Sequence, residues 1–330
     1  MTLTVAVTGP TGEIGISAVD ALERDPRVDR ILGMARRPFD AAAHGWTKTE
    51  YRQGDILDRE AVGAFVADAD VVVHLAYLIM GSRQESRRIN LAGTRNVFEA
   101  AVAAERPNRL VYTSSVAAYG YYPDNPVPLT EDTPTRGSKE HYYSEQKAEC
   151  EELLREVTVG SALEVYVLRP CIVAGPKAPM LAKSMPWRQL QEVLPTPLRS
   201  AVGLLQGVLP LMPDPGVPVQ LVHHDDVAAA IALAASGAGE PGAYNLAGDG
   251  EISLGDVAKA TGTRAVRVPQ AAATAASALL AKLPLVPAAA EWIHVARSSV
   301  VMDTSRAKNL LGWQPKHTTR ETLDELAATL

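Results

Sequence analysis

The stretch that decides the fold is Leu3-Thr4-Val5-Ala6-Val7-Thr8-Gly9-Pro10-Thr11-Gly12-Glu13-Ile14-Gly15. Its first half is apolar and β-branched and predicts a strand over Leu3–Thr8, after which the glycine-rich turn opens a helix. Gly9 permits a tight turn, Gly12 lets the backbone approach a pyrophosphate, and Gly15 allows the helix to pack closely on the strand. The start of such a helix binds phosphate through free amides and its positive dipole end, so we predict a dinucleotide-binding loop. The loop's predicted contacts are Gly9, Thr11, Gly12, Glu13, Ile14 and Gly15; a merely structural turn is the alternative.

Beyond this loop the first half of the chain alternates short apolar runs with amphipathic helical stretches. Near-continuously apolar strands separated by helices are typical of a parallel sheet covered on both faces, so we predict an α/β fold with a doubly wound Rossmann sheet. The further strands are predicted over Arg30–Ala35, Asp70–Leu75, Arg109–Ser114 and Glu164–Leu168, and the helices over Ile14–Arg24, Arg59–Ala67, Arg87–Ala104 and Ser144–Val157.

The texture of the sequence changes after Arg169-Pro170, where proline becomes frequent and alanine-rich segments follow. We therefore predict a dinucleotide-binding domain over residues 1–170 and a smaller, mostly helical substrate lobe over residues 171–216 and 236–330. Residues 217–235, with a strand over Val217–Val222 and a helix over Val227–Ala235, are predicted to return to the main sheet.

Composition excludes several classes of function. The 330 residues carry a net charge of −6, which offers no basic face to nucleic acid or anionic lipid. The two cysteines show neither metal-site nor disulfide spacing. No leader pattern is visible, and the apolar stretches Ala201–Met212 and Ala271–Ile293 are too short or too interrupted to span a bilayer. We expect a cytoplasmic enzyme with a small-molecule substrate, no nucleic-acid partner and no membrane partner.

The end of the second strand indicates which dinucleotide is bound. NAD-binding proteins place a carboxylate there, whereas this chain has Arg36 and Arg37 and no acid until Asp40. A guanidinium pairs well with a ribose 2′-phosphate, so we prefer NADP, with NAD as the other possibility. Solvated surface arginines are the alternative interpretation.

Tyr143 and Lys147 form the candidate catalytic pair. They are four residues apart in a predicted helix and therefore lie on one face. A nearby ammonium favours the phenolate, which makes Tyr143 a candidate general acid or base. Ser114 and Ser115 end the strand predicted over Arg109–Ser114, at the edge where ligands bind, and one of these hydroxyls can share developing charge with Tyr143. The alternative role for either serine is capping at the strand end.

These residues carry a family resemblance that runs nearly end to end. The chain resembles the extended short-chain dehydrogenases/reductases, the group that includes the NAD-dependent epimerase/dehydratase family. The matching segments, besides the glycine loop, are Gly54–Asp58, Val73–Ala76, Asn90–Val97, Ser114–Gly120, Tyr143–Lys147, Leu168–Pro170, His223–Ala228, Tyr244–Ala247 and Leu311–Pro315.

The resemblance implies roles by position. Ser115, which directly precedes Val-Ala-Ala-Tyr-Gly, matches the catalytic serine better than Ser114, and Tyr143 and Lys147 match the catalytic pair. Lys147 also matches the residue that holds the nicotinamide ribose. The remaining implied cofactor contacts are Asp55 and Ile56 at the adenine, Leu75, Ala76 and Tyr77 beside the ribose, Thr113 at the strand end, and Pro170 and Val173 beside the nicotinamide.

Departures from the family pattern bear on the reaction. Cys171-Ile172-Val173 replaces the aromatic pair and asparagine of sugar-nucleotide epimerases, and Val116-Ala117 replaces the acids of the dehydratases. The leading hypothesis is therefore an oxidoreductase that interconverts a ketone or aldehyde and an alcohol on a fairly apolar small molecule. An epimerase acting on a sugar or sugar nucleotide and a non-catalytic dinucleotide-sensing regulator remain alternatives. The resemblance also implies a homodimer through the helices near Arg87–Ala104 and Ser144–Val157.

Three further motifs are set aside. The run His223-His224-Asp225-Asp226 is predicted to bind no metal, because adjacent strand residues point to opposite faces and the acids suit a helix cap. His74 is predicted to be a hydrogen-bonded core histidine. Cys171 is not expected to act as a nucleophile, because nothing adjacent would lower its pKa.

Overall fold

The computed structural model describes residues 2–79, 81–183, 211–262, 264–269 and 298–330. The strands in this part of the chain are β1 (Leu3–Thr8), β2 (Val28–Ala35), β3 (Thr49–Gln53), β4 (Val71–His74), β5 (Arg109–Thr113), β6 (Glu164–Pro170), β7 (Ile172–Ala174), β8 (Leu211–Asp214), β9 (Leu221–His223), β10 (Gly242–Leu246) and β11 (Arg264–Arg267). The α-helices are α1 (Glu13–Arg24), α2 (Arg59–Ala67), α3 (Arg83–Arg87), α4 (Thr94–Ala103), α5 (Tyr142–Thr158), α6 (Met180–Lys183), α7 (His224–Ala235), α8 (Leu254–Ala260) and α9 (Thr319–Ala327).

Seven parallel strands form the main sheet, in the order β10-β6-β5-β4-β1-β2-β3. The central strands are apolar and buried on both faces, as in Val5–Val7 and Val71–Val73. One hydrophobic core joins the sheet to α1 and α7, and a second joins it to α2, α4 and α5. This is the predicted doubly wound Rossmann architecture, because strands of this kind need helices on both faces to exclude water.

The strand order reverses between β1 and β4, which places the crevice of the sheet at their carboxyl ends. Chain segments after β1, β4 and β5 all emerge at this edge. The glycine loop, the residues after His74 and the pair Ser114-Ser115 are therefore neighbours in space although they are far apart in sequence.

Residues 217–235 were predicted to return to the main sheet, and for the strand in this segment the prediction is wrong. The strand at Val217–Val222 is shortened to β9 and pairs with β7 in a separate two-stranded sheet. The place beside β6 is instead taken by β10, with Tyr244 opposite Leu168. Helix α7 does pack on α1 and on the main sheet, as predicted. The division of the chain into two domains remains a prediction.

The helix predicted over Arg87–Ala104 begins four residues earlier, as α3, and continues through a π-helical turn at Arg88–Gly93 into α4. The second lobe is described only in part: residues 201–210 and 271–293 of the two apolar stretches lie outside the described residues. Among the described helices, none has the length and apolar character that a bilayer crossing requires.

Candidate active site

The glycine loop has the geometry of a ligand cradle. Gly9 has φ +76°, and a Cβ there would lie 2.8 Å from the backbone nitrogen of Ala76. A Cβ on Gly15 would lie 2.1 Å from the Gly9 carbonyl oxygen, whereas one on Gly12 would meet the same oxygen only at an ordinary 3.5 Å. The fold therefore requires Gly9 and Gly15. Gly12 has no side chain, and this leaves space for a ligand in front of the loop.

Helix α1 begins at Gly12 without a side-chain cap. Asp58 and Thr318, in contrast, cap α2 and α9 through hydrogen bonds to backbone amides. An uncapped helix start carries amide donors and partial positive charge, which suits a phosphate. The Glu13 carboxylate accepts a hydrogen bond from the Met180 amide, at the start of α6, at 3.3 Å.

The two arginines after β2 are exposed, and neither guanidinium forms an ion pair with a described residue. Their backbone is held in place: Gln53 Nε2 donates to the Arg36 carbonyl at 3.0 Å, and the Tyr51 hydroxyl bonds to the carbonyls of Ala35, at 2.9 Å, and Arg37. Both cations are thus available at the edge of the crevice on a fixed strand end.

Asp55 and Ile56 follow β3 at the same edge. Asp55 Oδ1 accepts a hydrogen bond from the Leu57 amide at 3.0 Å and shapes its own turn. The Ile56 side chain is buried in the core and packs against Gly93, where a Cβ would lie 2.5 Å from Ile56 Cδ1. The exposed part of this turn that a ligand can reach is therefore the Asp55 side rather than the isoleucine side chain.

The loop after β4 is tied to both the glycine loop and α4. Thr8 Oγ1 bonds to His74 Nδ1 at 2.7 Å, and Thr94 Oγ1 lies 3.0 Å from His74 Nε2. Burial lowers the pKa of His74 to about 3, with a smaller contribution from the charge on Lys147. His74 is thus a neutral, hydrogen-bonded core residue, in agreement with the prediction.

The two serines after β5 have different partners. Ser114 Oγ donates to the buried Glu151 carboxylate at 2.6 Å, and Glu151 in turn pairs with buried Arg169 at 2.7 Å. Ser115 Oγ accepts from the Ala117 amide at 3.2 Å and caps the short 3₁₀ turn there. Because it accepts in this bond, Ser115 keeps its own proton for donation, and no described residue takes it. Of these two serines, Ser115 is therefore the one whose hydroxyl can serve a substrate oxygen.

Helix α5 presents Tyr143 and Lys147 beside these serines. His141 Nδ1 caps the helix by accepting from the Ser144 amide at 3.2 Å. Ser144 Oγ donates to the Ala117 carbonyl at 2.6 Å, which fastens the first turn of α5 to the serine segment. This link fixes the helix that carries Tyr143 relative to Ser115.

Lys147 is 3% exposed, and its Nζ donates to the Thr113 carbonyl at 2.9 Å. Burial lowers the pKa of Lys147 to about 8, and the neighbouring Cys150 and Glu151 raise it by a smaller amount. Thr113 Oγ1 is buried without a hydrogen-bond partner among the described residues. An orphaned hydroxyl at the carboxyl end of a central strand is expected where a ligand completes the site.

Pro170 ends β6 opposite Leu246, and Val173 lies half-buried in β7. Cys171 between them is buried, and burial raises the pKa of its thiol, so it is a poor nucleophile as predicted. These residues flank the far side of the crevice from the glycine loop.

His223 meets groups that the sequence did not place beside it. Its Nε2 lies 3.2 Å from the Glu325 carboxylate, and its ring stacks on that of His317 at 3.9 Å between centroids. Side-chain ligand atoms of His223, His317 and Glu325 lie within 4.8 Å of one another, and so do those of His223, His224 and Asp225. Strand geometry therefore does not keep these side chains apart, and the absence of a metal stays a prediction. The Asp226 carboxylate accepts hydrogen bonds from the amides of Lys316 and His317. Asp226 therefore attaches the C-terminal segment to the start of α7.

Sequence reasoning missed the residues that hold the site together. Asn90, in the π turn, accepts from the Leu78 amide at 2.7 Å and donates to the Leu78 carbonyl at 3.0 Å and to Gln146 Oε1 at 2.9 Å. Asn90 thus links the loop after β4 to the catalytic helix. Its place in the Asn90–Val97 segment was visible, but nothing in the sequence indicated its partners.

Comparison with known proteins agrees with this geometry. The sequence model of the NAD dependent epimerase/dehydratase family matches residues 5–247. An uncharacterized protein of Mycobacterium tuberculosis is 26% identical over 333 residues, covering 97% of this chain and 82% of that protein. Human 3 beta-hydroxysteroid dehydrogenase type 7 is 33% identical over 198 residues, covering 52% of this chain and 51% of the human protein.

Among solved structures, the Bordetella bronchiseptica enzyme WbmG in complex with NAD and UDP has a TM-score of 0.69 and 20% identity, with 100% of this chain and 94% of that chain covered. At that identity the likeness shows the fold. The family description, in contrast, covers well over half of the sequence and confirms the resemblance inferred from the motifs. The chain belongs to the NAD-dependent epimerase/dehydratase family.

Proposed function

We propose that this protein is an oxidoreductase that interconverts a ketone or aldehyde and an alcohol, with Tyr143 as general acid or base. The observation that supports the proposal is the arrangement at the crevice: Ser115 has a hydroxyl proton to donate, and Lys147 is bonded to the Thr113 carbonyl two residues before it. The first turn of α5, which carries Tyr143, is bonded to the Ala117 carbonyl two residues after it. Such a set moves one proton to or from an oxygen atom and holds that oxygen while charge develops on it.

The residues present fit a nicotinamide dinucleotide. Gly9 and Gly15 leave no room for a Cβ, the start of α1 has no side-chain cap, and Thr113 Oγ1 is orphaned at the strand end. The phosphates would lie at the glycine loop, with Asp55, Leu75 and Ala76 toward the adenosine and Thr113, Lys147, Pro170 and Val173 toward the nicotinamide. When bound, the dinucleotide supplies the donor or acceptor of a hydride.

Each catalytic side chain has a separate task in this proposal. Ser115 donates a hydrogen bond to the substrate oxygen, and Tyr143 gives or takes its proton. Lys147 supplies a positive charge that favours the ionised form of Tyr143. The Thr113 carbonyl and the burial of Lys147 keep that charge in one position.

We further propose that Arg36 and Arg37 select NADP, because both guanidiniums are exposed at the end of β2 and neither pairs with a described acid. The test is to titrate the purified protein with NADPH and NADH and to repeat the titration with Arg36→Ala. Loss of NADPH affinity of about 10-fold or more in the variant, with NADH affinity unchanged, is the expected result. Equal affinity of the native protein for both dinucleotides would move the assignment to NAD.

The reaction itself is tested by net turnover. We expect the protein to oxidise or reduce its dinucleotide in the presence of apolar alcohols or ketones, and Tyr143→Phe to bind the dinucleotide normally while turning over at least 100-fold more slowly. The partial similarity to the human 3 beta-hydroxysteroid dehydrogenase supports screening alicyclic alcohols first. A Tyr143→Phe protein with native turnover would refute the assignment.

An epimerase acting on a sugar nucleotide is the second candidate, supported by the UDP that the WbmG structure holds beside NAD. An epimerase returns the hydride to the same substrate and therefore shows no net change in the dinucleotide. Inversion of a sugar nucleotide without consumption of the dinucleotide would favour it over the oxidoreductase.

We also propose a homodimer through the outer faces of α4 and α5. A shallow depression of about 440 Å³ on this surface has both apolar and charged lining residues, namely Leu91, Ala92, Arg95, Glu149, Glu152, Leu153 and Glu156. Mass measurement in solution tests the proposal: a species of twice the 35.2 kDa chain mass supports it, and a monomer at micromolar concentration rejects it.

A further inference from the structure

Lys147 has an unusual set of neighbours for a buried ammonium. Its Nζ makes one hydrogen bond, to the Thr113 carbonyl, and lies 3.7 Å from the centroid of the Tyr77 ring. The ring of Tyr112 lies farther away, at 5.1 Å, and that of Tyr143 at 5.9 Å. No described carboxylate lies within ion-pair distance of Nζ, so the groups in direct contact with this charge are the Thr113 carbonyl and the face of an aromatic ring.

The other ionisable groups around Nζ do not neutralise it. His74 of β4 is buried and its pKa lies at about 3, so it is neutral. Burial raises the pKa of Cys150 on α5 to about 11, so it remains a thiol. Glu151, one residue further on α5, is engaged by Arg169 and by Ser114.

The backbone next to Tyr77 is held in position by hydrogen bonds to Leu78. Asn90 hydrogen-bonds both the amide and the carbonyl of Leu78, and Gln146 holds Asn90. The Tyr77 ring also meets Tyr143 edge to face, with centroids 5.5 Å apart and planes at 83°. A single ring therefore contacts both the cation and the phenol of the catalytic pair.

We propose that Tyr77 is a positioning residue whose ring face keeps Lys147 charged and in place beside Tyr143. The family resemblance implies that the loop carrying Tyr77 lies beside the cofactor ribose, and in the structure the Tyr77 side chain contacts the ammonium of Lys147. The negative face of an aromatic ring attracts a desolvated ammonium, which offsets the burial that otherwise favours neutral lysine. The role of Tyr77 in catalysis rests on the proposed function, whereas the contact between its ring and Lys147 does not depend on that function.

The test changes the charge on the ring face and keeps its shape. Tyr77→Phe is the parent variant, and its phenylalanine is replaced by the 4-fluoro, 3,5-difluoro and 3,4,5-trifluoro analogues, which progressively weaken the negative face. The protonation of Lys147 is followed by NMR of ¹³Cε-labelled lysine, assigned with Lys147→Arg. We expect Tyr77→Phe to retain the pKa of Lys147 and the fluorinated series to lower it stepwise, by about one unit in total.

The matched control is the same fluorinated series at Phe98. Phe98 is buried in the same core and meets Tyr112 edge to face at 5.3 Å, and it makes no contact with Lys147. Its series should leave the pKa of Lys147 unchanged. A constant pKa across the Tyr77 series, or equal shifts in both series, would overturn the proposal. The measurement needs neither cofactor nor substrate, so a stepwise trend together with an active Tyr143→Phe protein would refute the proposed function alone.

Discussion

Replacing His74 with glutamine should change how the stability of this protein responds to acid. The imidazole is fully enclosed, with Thr8 and Thr94 on its two nitrogens. Burial lowers its pKa from 6.5 to about 3, with a smaller contribution from the charge on Lys147. In the unfolded chain the imidazole is solvated and titrates near 6.5.

The direction in which stability changes with pH follows from the number of protons that each state binds. Between pH 6.5 and about 3 the unfolded chain binds one more proton at this position than the folded chain does, so acid favours unfolding. Each pH unit in that window removes about 1.4 kcal/mol, and at pH 5.0 the loss relative to pH 7.5 amounts to about 2 kcal/mol. Above pH 6.5 the residue is neutral in both states and has no such effect.

The free energy of unfolding, measured by urea denaturation at several pH values between 7.5 and 5.0, provides the assay. His74→Gln should be less stable than the native protein at pH 7.5, but its stability should fall by about 2 kcal/mol less on acidification. His44→Gln is the control, because His44 is exposed and packs only on neighbouring rings such as Phe39. It should leave the pH dependence unchanged. Parallel pH curves for His74→Gln and the native protein would refute the reasoning.

Two further pairs of substitutions test the glycine loop and the buried ion pair. Gly15→Ala should lower the melting temperature and abolish dinucleotide binding, because the new Cβ would lie 2.1 Å from a carbonyl oxygen; Gly12→Ala, with 3.5 Å of room, should keep the fold and lose affinity only, as thermal melts and titrations would show. Glu151→Gln should cost about 3–5 kcal/mol of unfolding free energy by stranding the Arg169 guanidinium, whereas Glu152→Gln, at an exposed pair, should cost under about 1 kcal/mol. Equal losses at the two glutamates would contradict the assignment of the pair as buried.

The central part of the fold could be predicted because its strands are buried on both faces. Runs such as Val71–Val73 have no polar position, and their ends were placed within two residues of those observed. The two strands of the main sheet that escaped prediction, β3 and β10, are its edges. An edge strand is partly exposed, and the sequence of β3, Thr-Glu-Tyr-Arg-Gln, is therefore mostly polar and does not form an apolar run.

The part of the site that depends on the spacing of residues along the chain could be predicted. The glycine loop, Ser115, Tyr143 and Lys147 each belong to a local pattern with a chemical reason. Contacts between distant segments have no such pattern. Neither the Tyr77 ring under Lys147 nor Glu325 beside His223 could be inferred, because each depends on how separate elements pack in three dimensions.

The edge position of β10 has a consequence for the order in which the chain is built. Strands β1 to β6 are complete by residue 170, whereas β10 begins only at residue 242, so the ribosome delivers six of the seven strands long before the last. During that interval β6 exposes its unpaired backbone groups, which invite pairing with another nascent chain. Synthesis of residues 171–241 thus sets a waiting time for closure of the sheet, and slow translation across these residues would lengthen the period in which the protein is prone to aggregate.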